Sequence, residues 1–75
     1  MELTKEGQLV KGDRITIIGK SQKDTHKTTV KEIVKNERGG EEIIINKKQN
    51  KYFITSMVLS GDSWVDKVFI EHNRG

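Results

Sequence analysis

Residues 9–19 read Leu9-Val10-Lys11-Gly12-Asp13-Arg14-Ile15-Thr16-Ile17-Ile18-Gly19. This stretch predicts a turn that leads directly into a β-strand. Gly12 can adopt a positive φ, and the side chain of Asp13 can accept hydrogen bonds from turn amides. Ile15 and Ile17 then share one face of a strand. Gly19 ends the strand, and a polar, basic loop over residues 20–27 follows it.

Strand-like segments separated by polar turns continue along the rest of the chain. Two glycines in residues 36–40 supply the positive φ angles that a tight turn needs, and polar clusters mark further turns at residues 47–50 and 60–63. Short strands between such turns predict an all-β fold, either a small barrel or a sandwich. The five predicted strands span about residues 13–18, 28–35, 41–46, 51–59 and 64–70.

Two of these segments are compatible with another structure. Val30, Ile33 and Val34 have helical spacing, and lysines recur at every fourth position around them, as in an amphipathic helix. The β-branched composition of residues 28–34 favours the strand. In the fourth predicted strand, residues 55–57 are also compatible with a bend or a single 3₁₀ turn.

The order of residues 9–35 resembles the KOW motif, which opens SH3-like barrels in ribosomal proteins and transcription elongation factors. Gly12, Asp13 and Gly19 match the turn of that motif and the glycine after its first strand. The family usually has another glycine just before its second strand, where this chain has Lys27-Thr28-Thr29. The close approach of backbone to RNA that such a glycine permits is therefore not carried over. The resemblance implies an SH3-like barrel that binds nucleic acid or protein.

The predicted fold is thus one domain over residues 1–75: a small five-stranded antiparallel SH3-like β-barrel with a short N-terminal extension that contains Leu3 and Leu9. Each strand contributes apolar side chains to the core. The predicted core residues are Leu9, Ile15, Ile17, Val30, Ile33 or Val34, Ile44, Phe53, Val58, Trp64, Val68 and Ile70, together with Phe69.

Composition restricts the class of protein. The chain has 75 residues and no cysteine, which excludes disulfides and thiolate metal sites and fits a reducing compartment. The first residues carry acids and lack the apolar region of a secretory signal. No apolar run approaches the roughly 20 residues that span a bilayer. We expect a soluble, cytoplasmic protein without a membrane association and without a cofactor.

Positive charge is concentrated in the middle of the chain. The formal net charge is +3, but residues 14–51 carry ten Lys/Arg and five Asp/Glu, so that this segment alone has a charge of +5. Such a distribution is typical of proteins that bind polyanions, although solvated lysine loops give the same pattern. The predicted nucleic-acid-binding residues are Arg14, Lys20, Lys23, Lys27, Lys31, Lys35, Arg38, Lys47, Lys48, Lys51 and Tyr52.

The four aromatic residues limit how bases are bound. Tyr52 follows Lys51 and is the ring most suited to face solvent, whereas Trp64, Phe53 and Phe69 are assigned to the core. Single-strand binders stack bases on exposed aromatic rings, and this chain has few such rings. The small number of rings therefore favours binding to a duplex or to the nucleic-acid backbone.

The sequence does not predict an enzyme. His26 and His72 lack a nearby nucleophile or a partner at metal-ligand spacing, and both are expected to be exposed. Glu41 and Glu42 are adjacent in a strand, so their carboxylates point to opposite faces. Gly39-Gly40 lacks the Lys-Ser/Thr and the helix of a phosphate-binding loop. No catalytic and no metal-binding residue is predicted.

Two kinds of function remain. The favoured one is a small non-catalytic nucleic-acid-binding module, DNA or RNA, acting as an accessory factor in transcription or translation. The alternative is a small phage-type regulator that binds and modulates a host protein through Met57-Val58-Leu59 or an unpaired strand edge. The chain acts as a monomer, or as a homodimer closed through an exposed edge.

Overall fold

The structure, a computed structural model, describes residues 1–21 and 24–71. It confirms the all-β prediction but has six strands instead of five, with one short helix before the last strand. The elements are β1 (Arg14–Gly19), β2 (Thr25–Thr29), β3 (Glu32–Lys35), β4 (Glu41–Asn46), β5 (Lys51–Ile54), α1 (Thr55–Ser60) and β6 (Val65–Glu71).

The strands form two antiparallel three-stranded sheets. The first sheet has the order β2-β1-β6 and the second has the order β3-β4-β5. Antiparallel pairing joins neighbours in both sheets, and a β-bulge interrupts β1 at Ile18/Gly19 opposite β6. Over the residues described, the structure therefore does not contain the predicted closed barrel of five strands.

The extra strand arises where the chain passes from one sheet to the other. The N–H of Val30 donates to the carbonyl of Asp13, beside the first sheet, at 2.9 Å, and the next N–H, that of Lys31, donates to Ile44 in the second sheet at 2.8 Å. The side chain of Val30 is buried at this point. The predicted second strand is thus divided into β2 and β3, and β2 begins at Thr25, within the predicted basic loop. The alternative of a helix in this segment is wrong.

The predicted fourth strand ends early because a helix begins at Thr55. Helix α1 has six residues, more than the bend or single 3₁₀ turn considered from the sequence. Gly61 ends it with a φ of 85°, and its N–H donates to the carbonyl of Val58 at 3.2 Å. The N–H of Asp62 donates to Met57 at 2.8 Å, which completes a Schellman motif.

The core lies between the two sheets and agrees with most of the prediction. Twelve buried apolar residues form it: Leu3, Leu9, Ile15, Ile17, Val30, Ile43, Ile45, Phe53, Val58, Val65, Val68 and Ile70, with Ile33 packed against them.

Three core assignments are wrong. Strand β4 turns Ile43 and Ile45 inward, so Ile44 lies on the opposite, half-exposed face. Phe69 alternates with buried Val68 and Ile70 in β6 and is 37% exposed. Trp64 is 42% exposed, because the buried residue at the start of β6 is Val65.

The N-terminal extension is an integral part of the fold. Leu3 and Leu9 are both buried, and the N–H of Leu3 donates to the carbonyl of Val68 at 2.8 Å. Within the described residues, no helix has the length and apolar character needed to cross a membrane.

Candidate functional site

The candidate site lies along the free edge of the first sheet. Strand β2 pairs only with β1, with His26 opposite Ile17 and Thr28 opposite Ile15. Both isoleucines are buried, so His26 and Thr28 lie on the inner face of their sheet. They are not covered by the second sheet. Instead they line an open hollow together with Ile45 and Asn46 of β4.

Seven lysines surround this edge. We name the surface that they line the lysine groove. Three neighbouring hollows share lining residues and form one continuous surface from the turn before β1 to the turn before β6. All seven lysines are exposed. They are Lys11, Lys20, Lys27, Lys31, Lys47, Lys48 and Lys51.

Few carboxylates neutralise the lysine groove. Asp24 is the one acid among the described residues that line these three hollows. In the part of the chain that the structure describes, one ion pair occurs, between Lys47 Nζ and Glu32 Oε2 at 3.9 Å. That distance is long and both side chains are largely exposed, so the pair contributes little stability and leaves Lys47 available. The groove therefore carries a clear excess of positive charge.

An exposed tryptophan lies at one end of the lysine groove. The indole Nε1–H of Trp64 donates to the backbone carbonyl of Tyr52 at 3.0 Å. Its backbone carbonyl accepts a hydrogen bond from the N–H of Lys20 at 3.0 Å. The ammonium of Lys51 lies over the ring, 5.4 Å from the ring centroid, within the range of a cation–π interaction. The ring is thus held in position although much of its surface is open to solvent.

A hollow of about 420 Å³ adjoins this ring, which we name the aromatic hollow. Tyr52 and Ile54 of β5, Met57 of α1 and Trp64 give it a mainly apolar lining. Lys51 and Trp64 line both the aromatic hollow and the lysine groove. An apolar, partly aromatic surface therefore continues directly into a cationic one.

The structure brings together most of the residues that the sequence predicts for a site. Six predicted lysines lie in the lysine groove, and Tyr52 is 39% exposed beside it, as expected. Lys23 lies outside the described residues.

Three predicted cations lie elsewhere. Arg14 alternates with buried Ile15 and lies on the outer face of the first sheet, beside Glu71, which is opposite it in register; its hollow meets the lysine groove at Lys27 and Thr28. Lys35 is the last residue of β3 and Arg38 lies in the turn that follows, at the Glu41 end of β4, whereas the groove lies at the Asn46 end of that strand. Five residues of strand, about 17 Å, separate the two ends. These three residues are not part of the groove.

Sequence reasoning missed two members of the site. Lys11 precedes the motif's turn and joins the groove only because the chain packs beside the β4–β5 turn. The sequence predicts Trp64 in the core, because a single tryptophan can supply much of the buried area of so small a domain. The signal that favours its exposure is Ser63-Trp64-Val65, since Val65 can fill the core position while the preceding residue stays outside.

The histidines and paired carboxylates considered from the sequence have the following positions. His26 is exposed, as expected, and His72 lies outside the described residues. Glu41 and Glu42 diverge, and Glu41 is buried against Thr55. Among residues 1–21 and 24–71, no three His, Asp or Glu side chains lie together as ligands for a metal ion.

The chain was also compared with known proteins. No protein family model matches it, and neither a curated protein nor a solved structure is similar enough to count as a match.

Proposed function

We propose that this chain is a small non-catalytic nucleic-acid-binding module, an accessory factor in transcription or translation, that binds through the lysine groove. The observation that carries the proposal is the gathering of seven exposed lysines on one continuous surface with a single lining carboxylate. Phosphate oxygens are the partners that such a surface favours, and the release of condensed counterions drives their binding.

We infer that the fold behind this surface is an SH3-like barrel in which β2 and β3 are one bent strand shared by both sheets. Only Val30 and Lys31 separate the two strands, and their N–H groups bond to opposite sheets. The resemblance of residues 9–35 to the KOW motif supports the same inference. Lysines distant in sequence meet because this bend brings β2 next to the β4–β5 turn.

The proposal is tested by the salt dependence of binding. Fluorescence anisotropy of labelled single-stranded DNA, duplex DNA and RNA measures the affinity at about 50 and about 200 mM salt. We expect the affinity to fall more than about tenfold over this range, because several lysine–phosphate contacts exchange with cations. An affinity that does not change with salt, or no binding to any of the three at low salt, contradicts the proposal.

Charge reversal then locates the surface. The double variant Lys31→Glu, Lys48→Glu changes two lysines of the groove, and we expect it to lower the magnitude of the salt slope by about 2. The matched control is Lys5→Glu, Arg38→Glu, which changes the charge equally. Lys5 and Arg38 are exposed and lie in segments near Glu41, whose Oε1 accepts from the N–H of Gly7. Equal effects of both double variants would mean that net charge, and not the groove, determines binding.

A protein partner is the second candidate, and one observation favours it. Met57 and Leu59 of α1 are exposed large apolar side chains. A host protein bound there would make Met57→Ser with Leu59→Ser the damaging change, with little dependence on salt. The two proposals therefore differ in which variant abolishes binding.

A further inference from the structure

We infer that the ligand is a single-stranded nucleic acid, with one base stacked on Trp64 at the aromatic hollow and the neighbouring phosphates on the lysine groove. This inference rests on the proposed function and names the substrate class of the same site. It reverses the expectation from the sequence that a duplex is preferred.

The Trp64 ring is held in one orientation at the protein surface. A tryptophan that is 42% exposed loses hydrophobic stabilisation, yet its edge is anchored on Tyr52 and its backbone on Lys20. A ring held in one orientation at the surface needs no further ordering when a flat partner stacks on it, so less binding free energy is lost. Stacking is largely independent of sequence, since every base has a π-face.

The aromatic hollow and the lysine groove meet at Lys51 and Trp64. Lys51 lies over Trp64 and lines both the aromatic hollow and the lysine groove. A nucleotide has the same two halves, an apolar flat base and an anionic phosphate. With the base in the hollow, the flexible ammonium of Lys51 can exchange its contact with the ring for a phosphate oxygen. Apolar surface and charge are therefore complementary to one nucleotide at the same point.

A duplex fits this surface less well than a single strand does. In a duplex, bases are paired and stacked on each other, so their faces are not available to an indole at the protein surface. A duplex would contact the lysines but leave Tyr52, Met57 and Trp64 exposed to water. The length of the edge also fits a short strand. The path from Thr25 to Lys31 is about 20 Å, comparable with the smallest footprints of single-strand binders, about 4 nucleotides.

The test uses the chain's single tryptophan as the probe. The unmodified protein is titrated with unlabelled single-stranded DNA and RNA of about 10 nucleotides and with a duplex of the same sequence. Anisotropy of fluorescently labelled copies of these oligonucleotides measures binding independently of the indole. We expect single strands to quench the emission of Trp64 and to bind at least about fivefold tighter than the duplex.

Two variants separate stacking from shape. Trp64→Leu keeps an apolar side chain without a π-face, and we expect single-strand affinity to fall between about 5- and about 150-fold. Trp64→Phe keeps a ring and is expected to recover most of that loss. Duplex binding should be nearly unchanged in both variants. Far-UV circular dichroism establishes that each variant folds, and if Trp64→Leu does not, the quenching of the unmodified protein still decides.

The outcomes distinguish a failure of this inference from a failure of the proposed function. If duplex and single strands bind equally, without quenching and without an effect of Trp64→Leu, while charge reversal in the groove still weakens binding, the inference is wrong and the proposed function stands. If none of the nucleic acids binds in a salt-dependent way, both are wrong. If Met57→Ser with Leu59→Ser abolishes binding to a protein and nucleic acids do not bind, the hollow serves a peptide and the inference is likewise wrong.

Discussion

Glu41 is a carboxylate on the core face of a central strand, and it is only 6% exposed. Its Oε2 accepts a hydrogen bond from the hydroxyl of Thr55 at 2.7 Å, and its Oε1 accepts one from the N–H of Gly7 at 3.2 Å. Burial of a charge is costly unless donors satisfy it. The side chain thereby connects the N-terminal segment, β4 and the first turn of α1.

We predict that Thr55→Val, which removes the hydroxyl that donates to Glu41, destabilises the fold by about 1–3 kcal/mol. The change is nearly isosteric, so the cost comes from one buried carboxylate oxygen that is left without its donor. Urea unfolding measures the difference in the free energy of unfolding. Thr4→Val is the control, since Thr4 is exposed, and its effect should be close to zero. Similar free energies for both variants would show that the buried hydrogen bond is not stabilising.

At the scale of elements, α1 determines where the aromatic hollow ends. The helix contributes Met57 to the lining of the hollow. Gly61 ends the helix shortly before Trp64. The ammonium of Lys20 donates to the carbonyl of Gly61, so the end of the helix is also attached to the residue after β1. The position of this short helix thus depends on its C-terminal cap.

We predict that Gly61→Ala destabilises the protein by about 1–2 kcal/mol. A Cβ there would meet no atom within 4 Å, so the cost comes from the φ of 85° and not from a clash. Gly19→Ala is the matched control. Its φ is not positive and its Cβ would make ordinary contacts at 3.9 and 4.0 Å, so it should be neutral or slightly stabilising. The thermal unfolding midpoints of the two variants test this, and a Gly61→Ala midpoint at or above that of Gly19→Ala contradicts it.

At the scale of the whole molecule, the two sheets share one core and are joined at two places. Val30 and Lys31 connect β2 to β3, and α1 with the turn after it connects β5 to β6. Leu3 and Leu9 of the extension belong to the same buried cluster. The sheets therefore stabilise each other, and neither is expected to persist alone.

We predict that Val30→Ala lowers the stability of both sheets equally, by about 2 kcal/mol, because it removes two buried methyl groups where the sheets meet. The fluorescence emission of Trp64 reports unfolding around the candidate site, and far-UV circular dichroism reports the loss of structure in all strands. The two probes should give one coincident transition in urea. Transitions that separate in the variant would indicate that the sheets unfold independently.

The sequence predicted the elements better than the faces of their side chains. The turn at Gly12 and the bounds of β4 follow from local composition, and both are confirmed. Three consecutive isoleucines, however, do not indicate which face is buried. Glu41 shares the inward face of β4 with Ile43 and Ile45, and the donors that satisfy its carboxylate, Thr55 and Gly7, are distant in sequence.

The candidate site could be predicted only in part, because it also depends on contacts between residues that are distant in sequence. Charge density along residues 14–51 indicated a cationic surface, and the bend at Val30 gathers most of these lysines. It does not gather Arg14, Lys35 or Arg38, since register and turn position place them elsewhere. The six residues of α1 are too few to show a helical period, so the hollow beside it was not predictable.

The two tethers of Trp64 have a further consequence. Lys20 follows a strand of one sheet and Tyr52 belongs to a strand of the other, and a single residue bonds to both. Separation of the sheets must therefore break one of these bonds. A ligand that binds this indole stabilises a residue that is bonded to both sheets. Its binding free energy therefore adds to the free energy needed to separate the sheets.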